Sequence, residues 1–388
     1  LKQRSLAVVV QRYGADITGG SETLAREVSE HLASEMAITV FTSCARDYVT
    51  WRNELPEGEE ERNGVRILRF RAEEERDLAA FNRYSEALYL KSPTEEEQLL
   101  WLRRQGPYVP RLVEALRAQK DGFDAFLFFT YLYYPTYAGL EVCPERSILV
   151  PTAHDEPPLR FSIYDTMFAL PRAFAFCSGP EETLVRSRFA IAAAASAVTG
   201  IGIDVPQGRP LEPPILEGRY FLYAGRIDAG KGCAAMVESY RAYRARHPEG
   251  PALALIGKLS MDLPGDLVTY LGYRSEAEKA ALMAGADVIL CPSPYESLSI
   301  TLLEGFACGV PALANAASPV LKDHCVRSNG GLYYQTGAEF VEALDLLARA
   351  GDLRRTLGEN GRAYVGREYT WPRVLGRYKE LIEKAATT

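Results

Sequence analysis

Short apolar runs alternate along this chain with longer stretches in which apolar residues return every three or four positions, and polar or glycine-rich segments separate the two patterns. The runs predict strands and the longer stretches helices, so the expected class is α/β with parallel sheets rather than a sandwich or a bundle. In the first half, Leu6 to Val10 reads as a strand, followed by a loop through Gly20, a helix from Ser21 to Ser34 and a strand from Ile38 to Thr42. Residues 54–80 are densely charged around one strand-like run, Val65 to Phe70, and read as a strand between solvated loops. Leu99 to Gln119 has helical spacing broken at Gly106-Pro107, and Asp124 to Thr130 and Ser147 to Thr152 read as strands. The Ala-rich run Phe189 to Val198 is far shorter than the roughly 20 residues of a bilayer span and reads as a buried helix.

Between Gly200 and Gly218 the pattern stops: GIGIDVPQGRPLEPPILEG holds four prolines and no amphipathic period, as a stiff linker does. A second series of strand-like runs follows at Tyr220 to Ala224, Ala252 to Ile256, Val268 to Leu271, Val288 to Cys291 and Pro311 to Ala314. The expectation is two Rossmann-like domains, residues 1–203 and 219–371, joined by a linker at 204–218 and followed by a terminal helix at 372–388. Ligands of such sheets lie at the carboxyl ends of the strands, here expected where the two sheets face each other across a cleft.

A length of 388 residues is ample for two or three domains with large cores. The net charge of −7 disfavours nucleic acid as the partner. The seven cysteines show no C-x-x-C spacing and fall in apolar segments, which predicts reduced thiols and a cytoplasmic location. The chain opens LKQRSLAVVV, straight into a strand-like run, so no signal peptide is expected; lacking an initiator Met, it reads as trimmed or cut from something longer. Peripheral membrane contact is not evident in the sequence.

Candidate chemistry concentrates in residues 291–311, CPSPYESLSITLLEGFACGVP. Pro292 and Pro294 fix where the extended chain stops, and Ser297 or Ser299 is placed to cap a helix whose interior begins near Thr301. First-turn amides at Leu298, Ser299 and Ile300, with the positive end of the helix dipole, suit a phosphate. Glu296 precedes this helix and Glu304 lies inside it, about 10 Å apart at a rise of about 1.5 Å per residue. That exceeds the roughly 5–5.5 Å of the carboxylate pair in a retaining hydrolase. Two separate tasks along an extended ligand fit better, a sugar and a ribose flanking a diphosphate; the alternative is two solvated helix-surface residues.

Gly225-Arg226 and Gly230-Lys231-Gly232 follow the first strand of the second series, where glycines admit an anion, Arg226 offers a planar fork and Lys231 a mobile charge. Gly19 and Gly20 occupy the corresponding turn of the first domain. Neither turn is a Walker loop or a G-x-G-x-x-G fingerprint, which counts against an NAD enzyme. His154 ends a strand in a loop, a usual place for site residues, with a backbone-bonded structural histidine as the alternative. The run His154-Asp155-Glu156 is not read as a metal site, because an extended chain sends alternate side chains to opposite faces. Tyr131, Tyr133, Tyr134 and Tyr137 follow a strand and suit either acceptor stacking or core packing.

Residues 291–311 resemble the E-x7-E segment of glycosyltransferase family 4, the retaining transferases of the GT-B fold. GGSE at Gly19 to Glu22, HD at His154 and Asp155, AGRIDAGKG at Ala224 to Gly232, LGYRSEAEKAALMAGADV at Leu271 to Val288 and EYTWPRVLGRY near the end resemble family positions in the same order. The run Leu298-Ser299-Ile300 departs from the commoner Phe-Gly-Leu-like sequence. The resemblance implies metal-independent transfer of a sugar from a UDP- or GDP-sugar to an unidentified glycan, lipid-linked or small-molecule acceptor, with no cofactor. It implies that Arg226, Lys231 and the amides of Gly19 and Gly20 hold the diphosphate, Glu296 the sugar hydroxyls, Glu304 the ribose, and the backbone near Tyr273 and Arg274 the base. His154 would lie beside the sugar, and the terminal helix would cross back onto the first domain at Tyr369 to Pro372. The alternatives are a binding protein without turnover, a sugar-nucleotide epimerase, or a phosphorylase, for which no pyridoxal phosphate lysine motif appears.

Overall fold

A computed structural model describes residues 3–17, 19–191, 194–204 and 215–386. The chain divides into two compact units, Leu1–Ile201 with Val374–Thr388, and Gly202–Arg373. Most of the predicted linker, residues 205–214, lies outside the described residues.

The first unit is built on eight strands: β1 (Ser5–Val9), β2 (Ala37–Ser43), β3 (Gly58–Arg62), β4 (Val65–Phe70), β5 (Ala125–Phe129), β6 (Ser147–Val150), β7 (Ala173–Phe176) and β8 (Ala195–Val198). They run in the order β3-β4-β2-β1-β5-β6-β7-β8, all parallel except the β3–β4 pair. Central strands of a sheet covered on both faces must be apolar throughout. Accordingly Leu6 to Val9 and Ala125 to Phe129 are buried along their whole length. β3 was invisible to hydrophobic patterning because all five of its residues are exposed. It forms a hairpin with β4 through Asn63 and Gly64, both at positive φ, as a two-residue hairpin turn requires.

Phe189 to Val198 is not a buried helix. Ala195–Val198 is the half-buried edge strand β8, paired in parallel with β7 from Ala173↔Ala195 to Phe176↔Val198; Ala192 and Ala193 lie outside the described residues. Pairing with a neighbouring strand overrides the helical propensity of alanine.

The second unit holds β9 (Tyr220–Ala224), β10 (Ala252–Ile256), β11 (Thr269–Tyr270), β12 (Val288–Cys291), β13 (Ala312–Asn315) and β14 (Gly331–Tyr334), all parallel, in the order β11-β10-β9-β12-β13-β14. The terminal helix, Trp371–Ala386, is counted with the first unit from Val374 onward and buries Val374, Tyr378, Leu381, Ile382 and Ala385. Partly exposed ion pairs, Glu383–Arg4 and Lys379–Glu35, add to this buried apolar contact with that unit. Among the described residues, no helix is long and apolar enough to cross a membrane.

Candidate functional site

In the second sheet, β10 and β11 lie on one side of β9, and β12, β13 and β14 on the other. The direction of sheet building therefore reverses between β9 and β12, and an open parallel sheet has a crevice at the carboxyl ends there. The two segments emerging at that point carry Gly225 to Gly232 and Pro292 to Ser299.

Local bonds shape both. Tyr223 Oη donates to the Arg226 carbonyl at 2.5 Å, and the Lys231 amide donates to Asp228 Oδ1 at 2.8 Å. Asn315 Nδ2 holds the Pro292 carbonyl at 2.9 Å, and Thr301 Oγ1 donates to the Ala224 carbonyl at 3.3 Å. The segments meet in an ion pair, Lys231 Nζ to Glu296 Oε1 at 2.7 Å, with the side chains 29% and 18% exposed. The ammonium expected on the diphosphate thus sits on the carboxylate expected on the sugar. Arg226 is more open, its guanidinium 3.6 Å from Asp228.

The helix after Glu296 is Ile300–Ala307, with Ser299 at its cap. No side chain caps it: Ser299 is left-handed, φ 68, and its hydroxyl makes no cap hydrogen bond. Capping serines are extended, so the expected Ser297 or Ser299 cap does not form. Ser297, Ser299 and Ile300 are half-buried, leaving the amino end of the helix partly open. The non-glycine left-handed residue is held from behind: the Leu298 carbonyl accepts from His324 Nε2 at 2.8 Å. Burial pulls the His324 imidazole down to about 4, so it is neutral and donates from that nitrogen.

Glu304, about one turn into the helix, accepts from Lys279 Nζ at 2.8 Å. Burial raises its carboxyl above the usual range while Lys279 pulls it down. Tyr273 is exposed, and Arg274 contacts Glu278 at 3.2 Å, both just past β11.

In the first unit, Gly19 caps the helix Gly20–Leu32 after β1. A Cβ at Gly19 would come within 2.2 Å of Glu22 Oε2, so a side chain there would have to displace that carboxylate. Glu22 accepts from Arg12 Nε at 3.0 Å and Gln11 Nε2 at 2.9 Å. His154 follows β6, its Nε2 3.4 Å from Glu156 Oε2; Tyr131 Oη donates to the other oxygen of Glu156 at 2.8 Å. Tyr131 is fully buried, and Tyr133, Tyr134 and Tyr137 pack half-buried on Trp51, Tyr108 and Tyr164.

Glu181, unmarked by any sequence motif, accepts from the amides of Ala153 at 2.6 Å and Cys177 at 2.5 Å, joining the exits of β6 and β7 under His154. The amides favour its ionised form, but burial dominates and pushes it up to about 7 from an ordinary 4.5. A carboxyl that holds its proton more tightly folded than unfolded stabilises fully below the unfolded value and loses that contribution as pH rises through the folded one. Measured by urea unfolding, the stability of the wild type relative to Glu181→Gln is expected to fall by on the order of 2 to 3 kcal/mol between about pH 4.5 and pH 7. No group of three metal-ligating side chains occurs among the described residues.

Residues 212–364 match the family model described as glycosyl transferases group 1. An α-(1→4)-mannosyltransferase of Mycolicibacterium hassiacum is 33% identical over 147 residues, 36% of this chain and 33% of that protein. A GDP-mannose:cellobiosyl-diphosphopolyprenol α-mannosyltransferase of Xanthomonas campestris is 30% identical over 207 residues, 49% of this chain and 52% of its own length. These matches therefore span between a third and about half of the relatives. The sucrose-phosphate synthase of Thermosynechococcus elongatus has the same fold, with a TM-score of 0.75 over 98% of this chain and 99% of that one at 19% identity. The match to the glycosyl transferases of group 1 thus falls within the second unit, and the chain as a whole has a GT-B fold of two parallel-sheet α/β units.

Proposed function

We propose that this protein is a retaining, metal-independent, cytoplasmic glycosyltransferase that moves a sugar from a UDP- or GDP-sugar to an acceptor hydroxyl. The observation that carries the reading is the Lys231–Glu296 pair at the β9–β12 crevice, beside the partly open start of the helix Ile300–Ala307. The Xanthomonas relative, whose name specifies GDP-mannose, supports a nucleoside-diphosphate donor.

Breaking the anomeric carbon–phosphate bond leaves an oxocarbenium-like sugar and a nucleoside diphosphate carrying the bonding electrons. Charge on the leaving group is the largest change, and preorganised donors acting on it lower the barrier most. In this reading Arg226, Lys231 and the amides at Leu298, Ser299 and Ile300 receive that charge. Glu296 binds sugar hydroxyls, Glu304 the ribose, and the backbone at Tyr273 and Arg274 the base. From the first unit, the amides of Gly19 and Gly20 are assigned to the diphosphate and His154 to a sugar hydroxyl. Attack on the face from which the diphosphate departs, with the leaving phosphate taking the acceptor proton, gives retention without a dedicated general base.

Calorimetry with UDP-, GDP- and ADP-sugars, with and without EDTA, tests the donor assignment. One donor is expected to bind, with an affinity unchanged by the chelator. Binding of none removes the assignment, and conversion of a donor with no acceptor present replaces transfer with epimerisation.

A further inference from the structure

Lys279 lies outside the residues assigned above, yet it is the side chain that meets Glu304. It stands on the helix Glu276–Gly285, whose start is fixed by a reciprocal bond between Ser275 and Glu278. Its ammonium is 2.8 Å from Glu304 Oε1 and 2.6 Å from Glu276 Oε2. The two contacts are unequal: Glu276 is 78% exposed, where water competes for the ion, and Glu304 only 23%. Among the described residues no other cation pairs with Glu304. Cys308, one turn further on, is neutral because burial pushes its thiol up to about 11, and the Arg362 guanidinium is engaged by the carbonyls of Ala307 and Cys308 at 3.2 and 2.8 Å.

We propose that Lys279 is a positioning residue for donor recognition, holding Glu304 in place and charged so that it accepts hydrogen bonds from the ribose hydroxyls of the nucleotide. This rests on the assignment of the second unit as the nucleotide site. Two hydroxyls need an acceptor with several lone pairs, which a carboxylate supplies; a protonated carboxyl offers fewer and adds a donor of its own. Burial drives Glu304 toward that neutral form, and Lys279 opposes it. Acceptor capacity is present above the titration of Glu304 and is lost as pH falls through it. Without the ammonium that loss begins at higher pH.

The test compares binding of the preferred nucleoside diphosphate, its 2′,3′-dideoxy analogue and pyrophosphate by calorimetry across pH, in the wild type, Lys279→Met and Lys279→Arg. The wild type is expected to favour the ribonucleotide over the dideoxy form by about tenfold or more, the worth of a hydrogen bond to a charged group. In Lys279→Met that preference is lost at a higher pH than in the wild type, falling to about twofold or less and returning as pH rises further, while pyrophosphate affinity is unchanged. Lys279→Arg keeps most of the preference and, with the wild-type pH series, carries the test if Lys279→Met does not fold. An unchanged ribose preference in Lys279→Met overturns the proposal, as does a preference in Lys279→Arg or the wild type that ignores pH down to the acid range. A wild type that binds pyrophosphate and no nucleotide overturns the donor site itself.

Discussion

Replacing Lys231 by Ala is expected to weaken binding of the preferred nucleoside diphosphate about 10- to 100-fold, the value of a charge-assisted bond of about 1.5–3 kcal/mol. The free nucleoside, lacking phosphate, should lose less than about twofold. An ammonium has three donors, so Lys231 can keep Glu296 on one N–H and offer the others to phosphate oxygens. Its removal deletes that contact and also leaves the Glu296 carboxylate, only 18% exposed, as an uncompensated negative charge beside the incoming diphosphate. The two losses share one interaction. Glu296→Gln in the Lys231→Ala background should therefore restore part of the affinity, a coupling that a double-mutant cycle measures. Additive losses would mean that the pair does not act as a unit. Equal weakening of nucleoside and nucleotide by Lys231→Ala would mean that the ammonium does not serve the phosphates.

The pair illustrates what this sequence discloses and what it hides. Tyr220–Ala224, Ala252–Ile256 and Val288–Cys291 were legible to the residue, because strands buried on both faces are unbroken apolar runs between polar boundaries. Gly331–Tyr334 was not, since as an edge strand it exposes Tyr333 and lacks such a run. Ala173–Phe176 is likewise hard to read, a run of only four residues between Pro171-Arg172 and Cys177-Ser178. Glycines, basic residues and carboxylates at turn positions announced Lys231, Glu296 and Glu304 singly. The contacts that hold the site come from other elements: Lys279 is 25 positions from Glu304, His324 is 26 from the Leu298 carbonyl, and Glu181 is 28 from Ala153. Such contacts depend on how helices dock on the sheet, a three-dimensional fact with no local period. The same limit hides the ion pair between Lys231 and Glu296, 65 positions apart.

Gly232→Ala is expected to lower stability by about 3 kcal/mol or more, a large share of the roughly 5–15 kcal/mol of an ordinary domain. Gly232 is the cap residue of the helix Cys233–Arg246, at φ 74 and ψ 10. An L-residue in that left-handed region costs about 1–2 kcal/mol before any contact is considered. A Cβ there would also lie 2.3 Å from the Pro292 carbonyl oxygen, a distance that backbone must open. That carbonyl cannot simply retreat, because Asn315 Nδ2 holds it at 2.9 Å. Gly230→Ala is the control: two residues away, its Cβ would meet only Asp228 Oδ1 at 3.3 Å, so a cost below about 1 kcal/mol is expected. Thermal unfolding should separate the two variants by several degrees. The larger consequence is functional, since Gly232 follows Lys231 and Pro292 leads into the turn before Glu296. Forcing those segments apart should weaken nucleotide binding even at temperatures where Gly232→Ala remains folded. A Gly232→Ala protein as stable as Gly230→Ala would show that the backbones are not in this close contact, and with it would go the geometry that brings Lys231 to Glu296.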